Sequence, residues 1–243
     1  EKLALQYNHA VKHRVRELGL GPGSRVLEIG PGSGSFVRWL VEEGAIVTAL
    51  DITDAYFDTF QHARVAAMTG DVRSADLGGD YDFVVAQMVL HHLPERVDVV
   101  NRLAKCLKPG GWLVANEPDT SLMWTRKGPS APVDVLRALC QQFAVLGVDY
   151  EWGLQLPAVF TAAGLSEVNA GVFTPVVAPG SDSLSLWRVG WPLFRQVATS
   201  RGWAVDADLD AAESGLDSPK LLVSSVPAVL CVGRSAPLGA STG

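Results

Sequence analysis

Residues 26–34 read Val-Leu-Glu-Ile-Gly-Pro-Gly-Ser-Gly, and no other stretch restricts the fold as tightly. A short apolar run, Val26 and Leu27, meets an acid at Glu28 and returns to apolar at Ile29. It then enters glycines at alternate positions, Gly30, Gly32 and Gly34, with Pro31 between the first two. Apolar residues follow at helical spacing, Val37, Leu40 and Val41 falling on one face at i, i+3 and i+4. The pattern is that of a strand, a tight glycine turn and a helix. Glycines lack side chains, so a ligand can lie directly on the backbone, and the helix start offers unpaired N–H groups. The alternative reading of the same residues is an ordinary tight turn.

The alternation continues. Residues 1–20 keep a rough helical period and stop at the glycine-rich 19–23 segment. Ile46 to Leu50 reads as a buried parallel strand ending at Asp51. A carboxylate at the tip of a second strand is where nucleotide-binding α/β folds grip ribose hydroxyls. Asp51 and Thr53 also suit a helix N-cap. A helix is expected over 55–65, and Gly70-Asp71-Val72 closes a short third strand or forms a surface turn. Residues 81–87 are a fourth strand. His91-His92-Leu93-Pro94 leads into a helix with Pro94 near its first turn, and 112–116 form a fifth strand. Further on, 133–146 and 154–163 read as helices, 168–177 as a sixth strand, 180–218 as helical, and 226–232 as the last strand. The tail from Ser235 is small and polar and is expected to be loose.

The glycine spacing departs from the dinucleotide pattern G-x-G-x-x-G, because the third glycine comes one residue early and Ser35 stands in its place. The stretch instead resembles motif I of the class I S-adenosylmethionine-dependent methyltransferases. A second block, from Tyr81 through His91, His92 and Lys108-Pro109-Gly110-Gly111 to Val114, resembles the same family at the right place in the alternation. Together the two span about residues 20–118. The resemblance implies a doubly wound, seven-stranded α/β sheet of order 3-2-1-4-5-7-6, with strand 7 antiparallel. It implies S-adenosylmethionine as cofactor and S-adenosylhomocysteine as product. The positions it would place against the cofactor are Glu28, Gly30, Pro31, Gly32, Gly34, Asp51, Ile52, Asp71, Val72 and Gln87. Asp71 would meet the adenine amino group and the Val72 N–H a ring nitrogen. The chain is expected to be one methyltransferase domain, with residues 1–20, 119–150 and 180–218 covering the site.

Composition narrows the partners. The 243 residues are 48% hydrophobic with a net charge of −6. An acidic chain lacks the basic face that phosphate backbones require, so nucleic acid is excluded as partner. Cys106, Cys140 and Cys231 lie far apart, form no C-x-x-C pair and read as buried free thiols. No metal site is indicated. No signal peptide and no membrane-spanning apolar run is found, and a cytoplasmic enzyme, monomer or homodimer, is expected. The first residue, Glu1, is not a methionine, and the natural N-terminus is expected to lie upstream.

The chemistry is the least legible part. Gln87-Met88-Val89-Leu90 stands where amide-directed relatives carry an Asp/Asn-Pro-Pro-Tyr motif and where the metal-dependent catechol type keeps an aspartate. What remains resembles the small-molecule enzymes of quinone and natural-product pathways. His92 is the candidate general base, with His91 the alternative and Tyr7 a candidate lid residue. Trp124, Trp152, Trp187 and Trp191 could line an apolar or aromatic acceptor pocket or belong to the core of the covering helices. Two rivals stand beside methyl transfer. One is an enzyme of the same fold and cofactor that catalyses a cyclisation or rearrangement. The other is a non-catalytic, partner-binding subunit.

Overall fold

The computed structural model describes residues 2–237, with side chains from residue 7 onward. The chain alternates as the sequence predicts: α1 (Lys2–Glu17), β1 (Arg25–Ile29), α2 (Ser35–Glu42), β2 (Ile46–Asp51), β3 (Val65–Thr69), β4 (Tyr81–Gln87), α3 (Arg96–Lys105) and β5 (Leu107–Pro118). The second half contributes β6 (Thr125–Lys127), α4 (Ala131–Gln142), α5 (Leu156–Ala162), β7 (Ser166–Phe173) and β8 (Val176–Val177). It ends with α6 (Asp182–Arg201), α7 (Asp206–Gly215), β9 (Leu222–Ser224) and β10 (Ala228–Arg234).

Seven strands form one sheet in the order β3-β2-β1-β4-β5-β10-β7. β10 is antiparallel to both neighbours, β5 and β7, while the first five strands are mutually parallel. This is the expected order, with β7 and β10 as the sixth and seventh strands of the sheet. The strand order reverses between β1 and β4, and in doubly wound sheets the carboxyl ends at that switch point form the ligand crevice.

Strand side chains alternate between faces. Leu27, Ile29, Val84, Ala86, Leu113 and Ala115 pack on one side against Val99, Val100 and Leu103 of α3 and Leu156 and Phe160 of α5. Val26, Val47, Val85 and Val114 pack on the other against Val11 and Val15 of α1 and Phe36, Val37 and Leu40 of α2. Both faces are buried, which is why the parallel strands read as continuous apolar runs.

Three expectations are corrected. No helix forms over 55–65. Only Phe57–Phe60 winds, as one 3-10 turn, and Gln61 is already extended at ψ 128°. Phe60 is the buried residue of that turn, and β3 begins at Val65, too soon for a full helix. The expected strand 168–177 divides into β7 and β8, which belong to different sheets. β6, β9 and β8 make a separate antiparallel sheet that the sequence reading lacks, because runs of two or three residues carry no visible period. It shares a third core with α4, α6 and α7, containing Met123, Leu136, Leu184, Trp187, Trp191 and Val223. At the C-terminus, Ser235 exchanges backbone hydrogen bonds with Gly110 and Gly111 at 3.2 and 2.9 Å. The tail expected to be loose is therefore pinned at its start, and its residues 238–243 lie outside the described ones.

Candidate functional site

The glycine turn divides its labour among three residues. All three glycines have positive φ: Gly30 at 66°, Gly32 at 51° and Gly34 at 71°. A Cβ on Gly30 would collide with Val89, and one on Gly34 with the Phe60 ring. Those two glycines are required by the protein's own packing. A Cβ on Gly32 would meet nothing within 4 Å. Gly32 alone leaves open space above the backbone, where a ligand can approach. Pro31, between them, is buried, and its carbonyl accepts from Gly34 N at 2.9 Å.

A cleft of about 230 Å³ opens beside this turn at the carboxyl ends of β1, β2, β3 and β4. Gly30, Asp51, Ile52, Asp71, Val72 and His92 of the sequence-predicted set line it, together with Met88, Val89 and Leu93. Glu28, Pro31, Gly32, Gly34 and Gln87 lie outside its wall. Asp51 bridges the two groups. One carboxylate oxygen accepts from Gly32 N at 3.3 Å and the other from Thr53 N at 3.3 Å. It ties the glycine turn to the tip of β2 rather than capping a long helix. Ile52 is 70% exposed at the rim, and Val72 is buried, so two apolar groups border the cleft.

Asp71 is more committed than the sequence suggests. Arg73 donates to its carboxylate through Nε at 3.0 Å and Nη2 at 2.6 Å, and through its backbone N at 2.9 Å. Arg73 also reaches Glu95 at 3.3 Å. The guanidinium holds the Asp71 carboxyl down to about 2.

Glu28 lies in the middle of the sheet, 3% exposed. Its Oε2 is buried without a hydrogen-bond partner. Burial pushes its carboxyl up to about 8, because charge is disfavoured away from water.

The turn after β4 rests on a residue that sequence reasoning missed. Glu117, near the end of β5, is fully buried. Its carboxylate accepts from three successive backbone N–H groups, Val89 at 3.1 Å, Leu90 at 3.0 Å and His91 at 3.1 Å. It also holds His91 Nδ1 at 2.7 Å. His91 is buried and turned away from the cleft, and its ring stacks on His92 with centroids 3.9 Å apart. His92, on the cleft wall, is driven down to about 4 by burial and by the neighbouring His91. The only cue in the sequence was an acid two residues past the apolar stretch of the fifth strand.

Met88 completes the strand end with φ 55°, an uncommon conformation for a residue with a side chain, of the kind found around binding sites. Tyr7 does not reach the cleft. Its hydroxyl donates to the Val226 carbonyl at 2.7 Å, and burial pushes it up to about 12. Trp152 is buried beneath α5, Trp187 donates Nε1 to Ser225 Oγ at 2.9 Å, and Trp191 sits in the third core. Trp124 is 39% exposed. Three of the four tryptophans are therefore core.

Fold and cleft together define a doubly wound α/β protein with an open crevice at its switch point. A methyltransferase-domain family model matches residues 3–149, and the chain belongs to that family. It is 33% identical over 106 residues to a trans-aconitate 2-methyltransferase of Mycobacterium tuberculosis, a match covering 43% of this chain and 41% of that protein. It is 31% identical over 119 residues to a ubiquinone biosynthesis O-methyltransferase of Escherichia coli, covering 41% and 48%. Each match spans less than half of the relative's length. Among solved structures, a Haemonchus contortus phosphoethanolamine N-methyltransferase in complex with S-adenosyl-L-methionine superposes with a TM-score of 0.57 at 14% identity, covering 91% of this chain and 51% of that one. Among the described residues no helix is long and apolar enough to cross a membrane.

Proposed function

We propose that this protein transfers a methyl group from S-adenosylmethionine to a small-molecule acceptor of the quinone or natural-product kind. The observation that carries the reading is the open space above Gly32, whose N–H is tied to Asp51 on the wall of the cleft. The residues present fit the cofactor. Asp51 has carboxylate oxygens at the tip of β2 for the ribose hydroxyls. Ile52 and Val72 offer apolar surfaces for the adenine ring, and Asp71 with the Val72 N–H borders its polar edge. When bound, S-adenosylmethionine supplies an electrophilic methyl carbon, so that an acceptor lone pair takes the methyl as the carbon–sulfur bond breaks and neutral S-adenosylhomocysteine leaves.

The chain's own residues orient the acceptor and exclude water. The segments 119–150 and 180–218, with their separate core, are assigned to covering the acceptor. His92 is a poor fit for the base that the sequence suggested. Desolvation and the neighbouring His91 hold its imidazole well below the ordinary value, which makes it a weak acceptor for a hydroxyl proton. We assign His92 to shaping the cleft as a neutral ring, and Glu117 to positioning the turn that carries it. An acceptor with an acidic hydroxyl, an amine or an activated carbon suits a site with so weak a base.

Calorimetry with S-adenosylhomocysteine tests the cofactor reading, and binding to the wild type is expected in the micromolar range. Absence of binding refutes it and favours a partner-binding subunit. Stoichiometric release of S-adenosylhomocysteine during turnover separates methyl transfer from a cyclisation, which would leave the cofactor intact.

A further inference from the structure

The cleft uses one side of the sheet's carboxyl edge. The face covered by α1 and α2 carries polar groups that do not line that cleft. Val26, Val85 and Val114 pack on that face. Glu28, Gln87 and Asn116, each two residues further along its strand, point the same way. β1, β4 and β5 are adjacent. Gln87 stands opposite Asn116 in register, at a strand spacing of roughly 4.8 Å. Glu28 stands opposite Val85, two residues short of Gln87, so it lies diagonally below the Gln87–Asn116 row on the same face.

All three are unsatisfied. Glu28 Oε2, Gln87 Oε1 and both Asn116 amide atoms are buried without a hydrogen-bond partner, and Asn116 is 1% exposed. Buried polar groups are almost always paired, and each exception asks for a partner. α1 brings two more polar side chains to this face. Asn8 is buried and donates to Ser35 Oγ at 3.0 Å. Tyr7 donates its proton to the Val226 carbonyl and is also hydrogen-bonded to Ser225, so its hydroxyl is already satisfied. None of Tyr7, Asn8, Glu28, Ser35, Gln87 and Asn116 is a cation, and Glu28 is an acid. A carboxylate buried here would lack a counter-charge. Asn116 instead presents a donor and an acceptor side by side.

Resting on the methyltransferase reading, we infer that this row anchors the methyl acceptor. Asn116 and Gln87 bind it directly, and the acceptor is an uncharged molecule whose anchoring group both donates and accepts hydrogen bonds, as a carboxamide or hydroxyl does. A carboxylic acid substrate is disfavoured.

Benzamide and benzoate, an isosteric pair differing in this property, test the assignment against protein saturated with S-adenosylhomocysteine, using ligand-detected NMR at pH 7.5. Benzamide is expected to bind at least fivefold more tightly than benzoate. Asn116→Leu should weaken benzamide at least tenfold and leave the Kd for S-adenosylhomocysteine within twofold. It should also leave Tm unchanged or raised, since it removes unpaired buried atoms; an asparagine serving only structure would lower Tm on removal. Should Asn116→Leu not fold, Gln87→Leu gives the same reading at the less buried end of the row. Equal or tighter benzoate binding, binding of neither probe, or benzamide affinity indifferent to these variants overturns the assignment. Failure of S-adenosylhomocysteine to bind the wild type shows itself before either probe is added and overturns the cofactor reading with it.

Discussion

Replacing Glu117 with glutamine removes one acceptor oxygen from a site where four donors converge. The carboxylate serves Val89 N and Leu90 N through Oε1, and His91 N and His91 Nδ1 through Oε2. In Glu117→Gln the least costly arrangement keeps the remaining oxygen on Val89 and Leu90 and turns the amide NH2 toward His91. The His91 ring can answer by switching tautomer, so that Nδ1 accepts. The His91 backbone N–H cannot switch, and it is left buried and unpaired. One orphaned donor costs about 1–3 kcal/mol, and the surviving bonds lose their charge-assisted strength. The sum is roughly 2–4 kcal/mol, a large share of a stability of about 5–15 kcal/mol. For a chain of this length that is a fall in Tm of roughly 5–15 °C. Because the freed N–H lies in the turn carrying Val89 and His92, affinity for S-adenosylhomocysteine should fall several-fold as well. Urea unfolding gives the first quantity and calorimetry the second. A stability loss below about 1 kcal/mol would refute the claim that Glu117 organises the turn. A full loss with unchanged affinity would confine Glu117 to folding.

The other expectations are separable from this one. Gly32→Ala should lose only the strain of positive φ, about 1–2 kcal/mol, yet weaken S-adenosylhomocysteine binding sharply. Gly34→Ala adds a collision with Phe60 and should lose about 1–3 kcal/mol more in stability; equal behaviour of the two in both measurements would undo the division of roles within the turn. Asp51→Ala should weaken S-adenosylhomocysteine binding by roughly 1.5–3 kcal/mol, the scale of a hydrogen bond to a charged group, read by calorimetry beside Tm. Glu28 titrates near 8 when folded and near its ordinary value when unfolded, so the folded state holds the extra proton. Its contribution to stability is complete below the unfolded pKa and is lost as pH rises through 8, and Glu28→Gln should flatten urea midpoints measured across pH 5–8. For His92 the sign is opposite, since its folded pKa is depressed to about 4. Stability should decline as pH falls from ~6.5 toward 4, and an imidazole NMR titration should place the His92 midpoint near 4 rather than at the ordinary value.

Local sequence was enough to place the strands β1 to β5 in order, because period and punctuation are carried by neighbouring residues. Val26 to Gly34, Ile46 to Asp51 and Tyr81 to Gln87 each announce a buried strand whose carboxyl end meets a turn, and such ends gather at one edge of a parallel sheet. The gathering of Gly30, Asp51, Asp71 and His92 around one cleft therefore follows from order along the chain. Local signal misleads at 55–65, where an apolar pattern suggests a helix but Phe60 is drawn into the space that Gly34 vacates. It is silent about β6 and β9 and about the parting of β8 from β7, because that small sheet exists only where distant edges pair. Tertiary structure alone decides which of two adjacent histidines faces the cleft, because the choice belongs to Glu117, more than twenty residues away along the chain. It alone shows that Arg73 already occupies Asp71 and that burial shifts His92 far below the range expected of a free imidazole. It alone sets Gln87 beside Asn116 on one face with their amides unpaired. Desolvation and hydrogen-bond satisfaction are properties of what surrounds a group on every side, and a linear sequence supplies only the neighbours on two.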